Sequence, residues 1–198
     1  MYETEQEKFW HGQFGDDYID RNDSHKRINH FAKILLENRI KIKSAIEFGS
    51  NIGINLDAIK SIFSECDTYG VEINEKAFNI LKEKHRSYLG SVYDFDISQK
   101  FELTFSSGVL IHQNPNWLDK FYQKLFDISS KYILIMEYHS PYPVEIPYRG
   151  HKEKNFKRDF AKEFWNKYPE CSLVDYGFFW SKDDFLWGDD INWWLFKK

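Results

Sequence analysis

The 198 residues suit one large domain, or one domain with extensions, and 42% hydrophobic content excludes a disordered chain. A formal charge of -4, from 27 basic and 31 acidic residues, argues against a protein that wraps nucleic acid, and no apolar run approaches the length of a membrane span. Cys66 and Cys171 stand too far apart in sequence to signal a disulfide framework or a metal motif, and the start of the chain lacks an apolar signal segment, so a soluble cytoplasmic protein is the expectation.

In chain order, residues 4–10 read as a short helix ending in Phe9-Trp10. His11-Gly12-Gln13-Phe14-Gly15-Asp16-Asp17-Tyr18 reads as a loop with aromatics and two glycines. Asn22-Asp23-Ser24 offers a cap for a helix over 24–38, whose Ile28, Phe31, Ile34 and Leu35 recur at helical spacing. Residues 1–40 thus form a helical extension, and 41–198 the core. A strand over 43–48, a helix over 53–63, a strand over 68–73 and a helix from 75 to 84 come next. A weak strand or extended loop covers 88–94, and a clear strand covers 101–106. Pro115 opens a helix whose apolar stripe runs from Trp117 to Ile128, and 131–137 is a strongly apolar strand. Residues 138–155 hold Pro141, Pro143, Pro147 and Gly150 and read as a long loop. A helix over 158–167 and strands over 172–180 and 192–196 close the chain. The pattern predicts an α/β fold, a mostly parallel sheet with a C-terminal antiparallel hairpin.

The stretch Glu47-Phe48-Gly49-Ser50-Asn51-Ile52-Gly53 joins the first core strand to its helix. Gly49 permits a tight turn and a close backbone approach to a ligand, and Gly53 lets the helix start close to the sheet. An ordinary strand-to-helix turn is the alternative. Glu72 ends the next strand about 20 residues on, where a carboxylate accepts the hydroxyls of a ribose. The turn departs from G-x-G-x-x-G, with Asn51 where a second glycine would stand. Glu47 beside the turn would repel a pyrophosphate but attract a cation. That tilts the expectation from a dinucleotide to a sulfonium or ammonium ligand with an adenosine half. Ser91 could bond an adenine and Val92 or Tyr93 could cover its face. Ser107 and Gly108 lie where a ligand would cross the sheet edge.

His112 could act as a base or orient a substrate, with a structural histidine as the alternative. His139 ends the strand after Glu137 near the same crevice and is a second candidate base. Trp10, His11, Tyr18, Tyr142, Tyr148 and Arg149 offer rings for a sugar face and a cation for an anion. Glu137, His139 and His112 could in principle bind a metal, but their spacing is not that of a metal motif, and no metal is assigned.

Glu47 to Gly53, Glu72, and Phe101-Glu102-Leu103-Thr104-Phe105 through His112 together resemble the motifs of class I S-adenosylmethionine-dependent methyltransferases. More narrowly, the chain resembles the pseudaminic acid biosynthesis-associated methylases. That likeness rests on Phe9-Trp10 through Tyr18 with Arg21-Asn22, and on Asn55-Leu56 and Gly108 to His112. Arg158-Asp159-Phe160-Ala161, Asp175-Tyr176-Gly177-Phe178 and Asp189-Asp190 with Trp193 extend it to the C-terminus. The resemblance implies a Rossmann-like sandwich with a seven-stranded sheet containing one antiparallel strand. It implies S-adenosyl-L-methionine as cofactor, with Glu47 near the methionine amino group, Gly49, Ser50, Asn51 and Gly53 shaping the turn, Glu72 on the ribose, and Ser91 and Val92 at the adenine. It implies a small sugar-related acceptor, which the N-terminal aromatic segment with Trp10 and Tyr18, and the 138–155 loop with Tyr142 and Arg149, are expected to cover. An NAD-dependent oxidoreductase, a non-catalytic protein binding a glycosylation partner and a protein methyltransferase are the competing expectations. No sequence feature sets the oligomeric state.

Overall fold

The computed structural model describes residues 2–21, 27–186 and 188–198, with the backbone alone at Arg21. In chain order the helices are α1 (Glu5–His11), α2 (Gln13–Arg21), α3 (Ile28–Glu37), α4 (Ile54–Ile62), α5 (Glu75–Leu81), α6 (Leu118–Ile128) and α7 (Phe160–Lys167). The strands are β1 (Ser44–Phe48), β2 (Asp67–Glu72), β3 (Arg86–Leu89), β4 (Phe101–Ser107), β5 (Ser129–Glu137), β6 (Val144–Glu145), β7 (Phe156–Lys157), β8 (Ser172–Phe179) and β9 (Ile191–Lys197). Seven of them form one sheet in the order β3-β2-β1-β4-β5-β9-β8, in which β9 pairs antiparallel with both its neighbours.

The central strands are apolar on both faces because both faces are covered. On β1, Ala45 joins the core layer built with Phe31, Ile34 and Leu35 of α3 and Leu56 and Ile59 of α4. Ile46 and Phe48 point the other way, to Phe121 and Leu125 of α6 and Phe160 and Phe164 of α7. β4 and β9 divide their side chains in the same manner, Leu103 and Leu195 to the first layer and Phe101 and Phe196 to the second. The mostly parallel sheet with its terminal antiparallel pair is the predicted arrangement. It puts the switch point of strand order at β1, between β2 and β4, and a crevice opens at the carboxyl ends of these strands.

Several local expectations change. Residues 13–18, read as loop, belong to α2, and only Gly12 breaks the helix, at the end of α1. Gly15 marks a close approach rather than a turn: a side chain there would collide with the Trp10 carbonyl and the Asn74 amide. The cap at Asn22-Asp23-Ser24 lies outside the described residues. The strand expected at 88–94 sits earlier, at β3, and the chain turns from Gly90. The 138–155 loop folds back on the segment that leads into α7. β6 pairs with β7, and His139 bridges to Arg158. Among the described residues no helix is long and apolar enough to cross a membrane.

Candidate functional site

The crevice is built from the turn after β1. Gly49, Asn51 and Gly53 all take positive φ, at 75°, 49° and 87°. Glycine is required at the first because Val109 lies against it, leaving no room for a Cβ. The Gly49 and Ser50 N–H groups donate to the Val71 carbonyl, at 2.8 and 3.1 Å, so the turn is tied to β2. Gly53 caps α4 and packs on His85 and Leu81.

Two buried carboxylates flank the turn. Glu72 is its hub. Oε2 accepts the Asn51 N–H at 2.6 Å, and Oε1 accepts those of Ile73 and Asn74 at 2.8 and 2.7 Å. Burial raises its pKa, against the pull of the three N–H groups. Oε1 is saturated, whereas Oε2 keeps one acceptor position. Glu47 is fully buried. Its Oε1 accepts the Asn55 side-chain amide at 2.6 Å, while Oε2 has no partner. Desolvation holds its pKa well above the usual carboxylate range. A buried carboxylate oxygen without a donor is costly, and a cation brought beside it would relieve that cost.

Both acids line a cavity of about 210 Å³. Gly49, Ser50, Asn51, Ser91, Val92, Ser107 and His112 line it with them, and Trp10 and Tyr18 close it from α1 and α2. Seven residues singled out from the sequence are not in its wall: His11, Gly53, Glu137, His139, Tyr142, Tyr148 and Arg149. Gly53 stands behind the turn. His139 sits 4.0 Å from Asp159 and packs near Trp194. Tyr142 is 78% exposed, and Arg149 lies exposed in the turn between Tyr148 and His151. Glu137, His112 and His139 are not gathered as metal ligands: among the described residues no three such side chains come together. Glu137 instead accepts the N–H groups of Val109 and Leu110 at 2.8 and 2.7 Å and so fixes the turn that carries His112. Burial pushes its pKa up to about 8.

His112 is buried, and its Nδ1 lies 2.6 Å from the Lys154 carbonyl oxygen. A carbonyl only accepts, so Nδ1 carries the proton and Nε2 the lone pair. Desolvation pulls the pKa down to about 4, which keeps the ring neutral at pH 7. Trp10 and Tyr148 pack on it at 4.7 and 4.8 Å, and Tyr18 meets Trp10 at 5.2 Å.

Sequence reasoning missed Gln6, Glu7, Arg27 and the role of Lys154. Thr4-Glu5-Gln6-Glu7 is a capping box, a signal that could have singled out Glu7 at the start of the helix expected over 4–10. It could not show that the same Glu7 carboxylate also accepts the Ser91 hydroxyl. Arg27 lines the cavity, and among the described residues no carboxylate pairs with it. Four buried polar atoms in the cavity's lining residues lack partners among the described residues: Gln6 Oε1, Glu47 Oε2, Asn51 Oδ1 and Trp10 Nε1. Three acceptors and one donor suit a ligand that mostly donates, and a cationic one at Glu47.

Solved structures similar to this one include methyltransferases. The 1,6-didemethyltoxoflavin-N1-methyltransferase of Burkholderia thailandensis, with 1,6-didemethyltoxoflavin and S-adenosylhomocysteine bound, matches at a TM-score of 0.75 and 12% identity, over 100% of this chain and 92% of that one. The magnesium protoporphyrin IX methyltransferase of Synechocystis, with S-adenosylmethionine bound, matches at 0.68 and 10%, over 100% and 99%. An S-adenosylmethionine-dependent methyltransferase of Archaeoglobus fulgidus matches at 0.68 and 13%, over 94% and 100%. These likenesses establish the Rossmann-like class I methyltransferase fold. No family model matches the sequence, and no curated protein matches it.

Proposed function

We propose that the chain is an S-adenosyl-L-methionine-dependent methyltransferase with a small acceptor. The observation that carries this reading is Glu47 Oε2, a buried carboxylate oxygen without a donor in the wall of the cavity. The ammonium of an amino acid supplies the missing partner, and Arg27, which lines the same wall, offers a cation for its carboxylate. The open acceptor position on Glu72 Oε2 suits a ribose hydroxyl, and Ile73 and Val92 offer apolar faces for an adenine. A dinucleotide fits less well, because Glu47 opposes a pyrophosphate.

The cofactor supplies a sulfonium-activated methyl group. The chain's own task is then to align an acceptor atom, exclude water and receive a proton. Trp10 and Tyr18 cover the cavity. Trp10 Nε1–H is free to donate to an acceptor oxygen, and His112 Nε2, held by Lys154 through the far side of the ring, is free to take a proton. A hydroxyl acceptor needs that base more than a neutral amine does. For the acceptor we propose a small sugar-related molecule, an amino sugar or nucleotide-linked sugar. The resemblance to the pseudaminic acid-associated methylases supports it, as do the flat faces of Trp10, Tyr18 and Tyr148. In this reading a cap within residues 1–40 closes over a core of residues 41–198.

Calorimetry tests the cofactor claim. S-adenosylhomocysteine should bind saturably, and Glu72→Ala should weaken it by about 3 kcal/mol, roughly 100-fold, since it removes a charged acceptor and orphans three N–H groups. Binding of NAD with none of S-adenosylhomocysteine would overturn the reading. Mass spectrometry of amino sugars and nucleotide sugars incubated with methyl-labelled cofactor tests the acceptor.

A further inference from the structure

Gln6 takes no part in the chemistry assigned to the site, yet it is among the most constrained residues there. It is 5% exposed, on the first turn of α1, and it lines the cavity. Its Nε2 donates to the Glu153 carbonyl at 2.8 Å. That bond fixes the amide's orientation, because the flipped amide would set oxygen against oxygen. Oε1 is therefore the free end, buried and without a donor among the described residues.

The neighbouring Glu7 and the Ser91 that it meets are already engaged. Ser91 gives its one hydroxyl proton to Glu7 Oε1 and accepts the Tyr93 N–H at 3.0 Å. Glu7 Oε2 takes the Glu3 and Thr4 N–H groups and the Thr4 hydroxyl. Glu7 thus seats α1 on the turn after β3, the turn whose Val92 also lines the cavity. Gln6, one residue earlier, brings an unfilled acceptor to the cavity from the chain's first helix.

We propose that Gln6 is a specificity-determining residue that reads the 6-amino group of the cofactor's adenine through Oε1, and that its amide nitrogen ties this recognition to the acceptor-side loop. The proposal rests on the S-adenosylmethionine reading of the cavity. The link is short. Gln6 holds Glu153, and the next residue, Lys154, holds His112 by its carbonyl. Filling the adenine position fixes the Gln6 amide from its free end and so steadies the backbone segment on which the candidate base depends. A 6-oxo purine has no donor at position 6 and sets its oxygen against Oε1, its one ring-edge proton lying on N1 instead.

The test is calorimetric titration of the full chain with S-adenosylhomocysteine and with S-inosylhomocysteine, its 6-oxo analogue. Limited trypsin digestion alongside reads cleavage after the exposed Arg149 and Lys152. Wild type should prefer the adenosyl compound at least tenfold, and that compound should slow cleavage. Gln6→Met keeps the bulk but loses both bonds; the preference should fall below threefold and the protection should vanish. Gln6→Glu keeps an acceptor and loses the donor, so the preference should persist while the protection is lost. An unchanged preference in Gln6→Met, or equal binding of the two compounds by wild type, overturns the proposal and leaves the cofactor reading standing. Wild type binding neither compound removes the cofactor reading itself. Wild type already tests the preference, so the proposal stays open to refutation if Gln6→Met does not fold.

Discussion

The two sides of the cavity are held by different kinds of bond. On the side assigned to the cofactor, the parts come from strand ends and the turns beyond them. Glu72 gathers the N–H groups of Ile73 and Asn74 next to it and of Asn51 one strand away. One buried carboxylate fixes neighbouring backbone there, and the sheet register sets the distances. On the side assigned to the acceptor, side chains reach across long stretches of chain. Gln6, which reaches this side only through its amide nitrogen, meets Glu153 147 positions away, His112 to Lys154 spans 42, and the Trp10 and Tyr148 rings pack on His112. A side made by the sheet tolerates little change and keeps one chemistry. A side made by surface segments can be reshaped without disturbing the sheet, which fits a fold whose solved examples include enzymes named for acceptors as unlike as a porphyrin and a toxoflavin precursor.

The sharpest way to separate the sides is His112→Asn. The variant keeps a donor for the Lys154 carbonyl but has no titratable nitrogen. Turnover of a hydroxyl acceptor should fall by about 100-fold or more, the ordinary worth of a positioned base. The affinity for S-adenosylhomocysteine should stay within about threefold, because Glu47 and Glu72 are untouched. Equal losses in both would mean that the sides are not separable and that His112 is structural.

A smaller effect should come from the other side. Glu47→Gln keeps the shape and the bond to Asn55 but removes the charge that an ammonium would meet. Affinity for S-adenosylhomocysteine should fall by roughly 10- to 100-fold, the range for one charge-assisted bond in a buried site. The sign of a linked proton can be read as well. Burial raises the Glu47 pKa well above its usual range, which shifts the acid towards its neutral form before a ligand binds. A bound ammonium favours the anion, and binding should release a proton. At pH 6.5 the binding enthalpy should then be more exothermic in imidazole than in phosphate, and Glu47→Gln should abolish the difference. Equal enthalpies for wild type in the two buffers would remove the ammonium from Glu47.

The same contrast explains what was legible in the sequence. The order of strands, the two glycines and the acids at 47 and 72 are local patterns, each a few residues long, and they point to one crevice. The cavity does bring those two acids together with Ser91, Val92 and Ser107. The acceptor side has no such local code. His139, Tyr142 and Arg149 follow the end of β5 in a Pro-rich segment, which is what points to them, yet none of the three lines the cavity, while Tyr148 in the same segment packs on His112. Gly12 and Gly15 look like loop residues, but Gly15 serves the close crossing of α2 over Asn74. That need arises only when two distant segments meet. Gln6 and Glu7 look like an ordinary helix start, and nothing in a single sequence distinguishes a capping glutamate from one that also holds Ser91.

The smallest expected effect is on stability, and it concerns whether the two sides answer to pH in the same direction. The folded pKa of His112 is pulled down to about 4, below its ordinary value of 6.5. As pH falls from 6.5 towards 4, the unfolded chain therefore takes up a proton that the folded chain refuses, and this group's contribution is lost on the acid side at about 1.4 kcal/mol per pH unit. Glu137, which fixes the turn carrying His112, runs the other way. Its folded pKa is raised from 4.5 to about 8, so the folded chain holds the extra proton, and stability is lost as pH rises through that window. Thermal melting of wild type, His112→Asn and Glu137→Gln between pH 4.5 and 8 reads both. Between pH 6.5 and 4.5, His112→Asn should lose less than wild type, by on the order of 2 kcal/mol or several degrees in Tm. Glu137→Gln should lose less than wild type between pH 6.5 and 8. Parallel curves for all three proteins would mean that water reaches both groups, and a water-filled His112 site would leave the lone pair on Nε2 too well solvated to serve a buried acceptor.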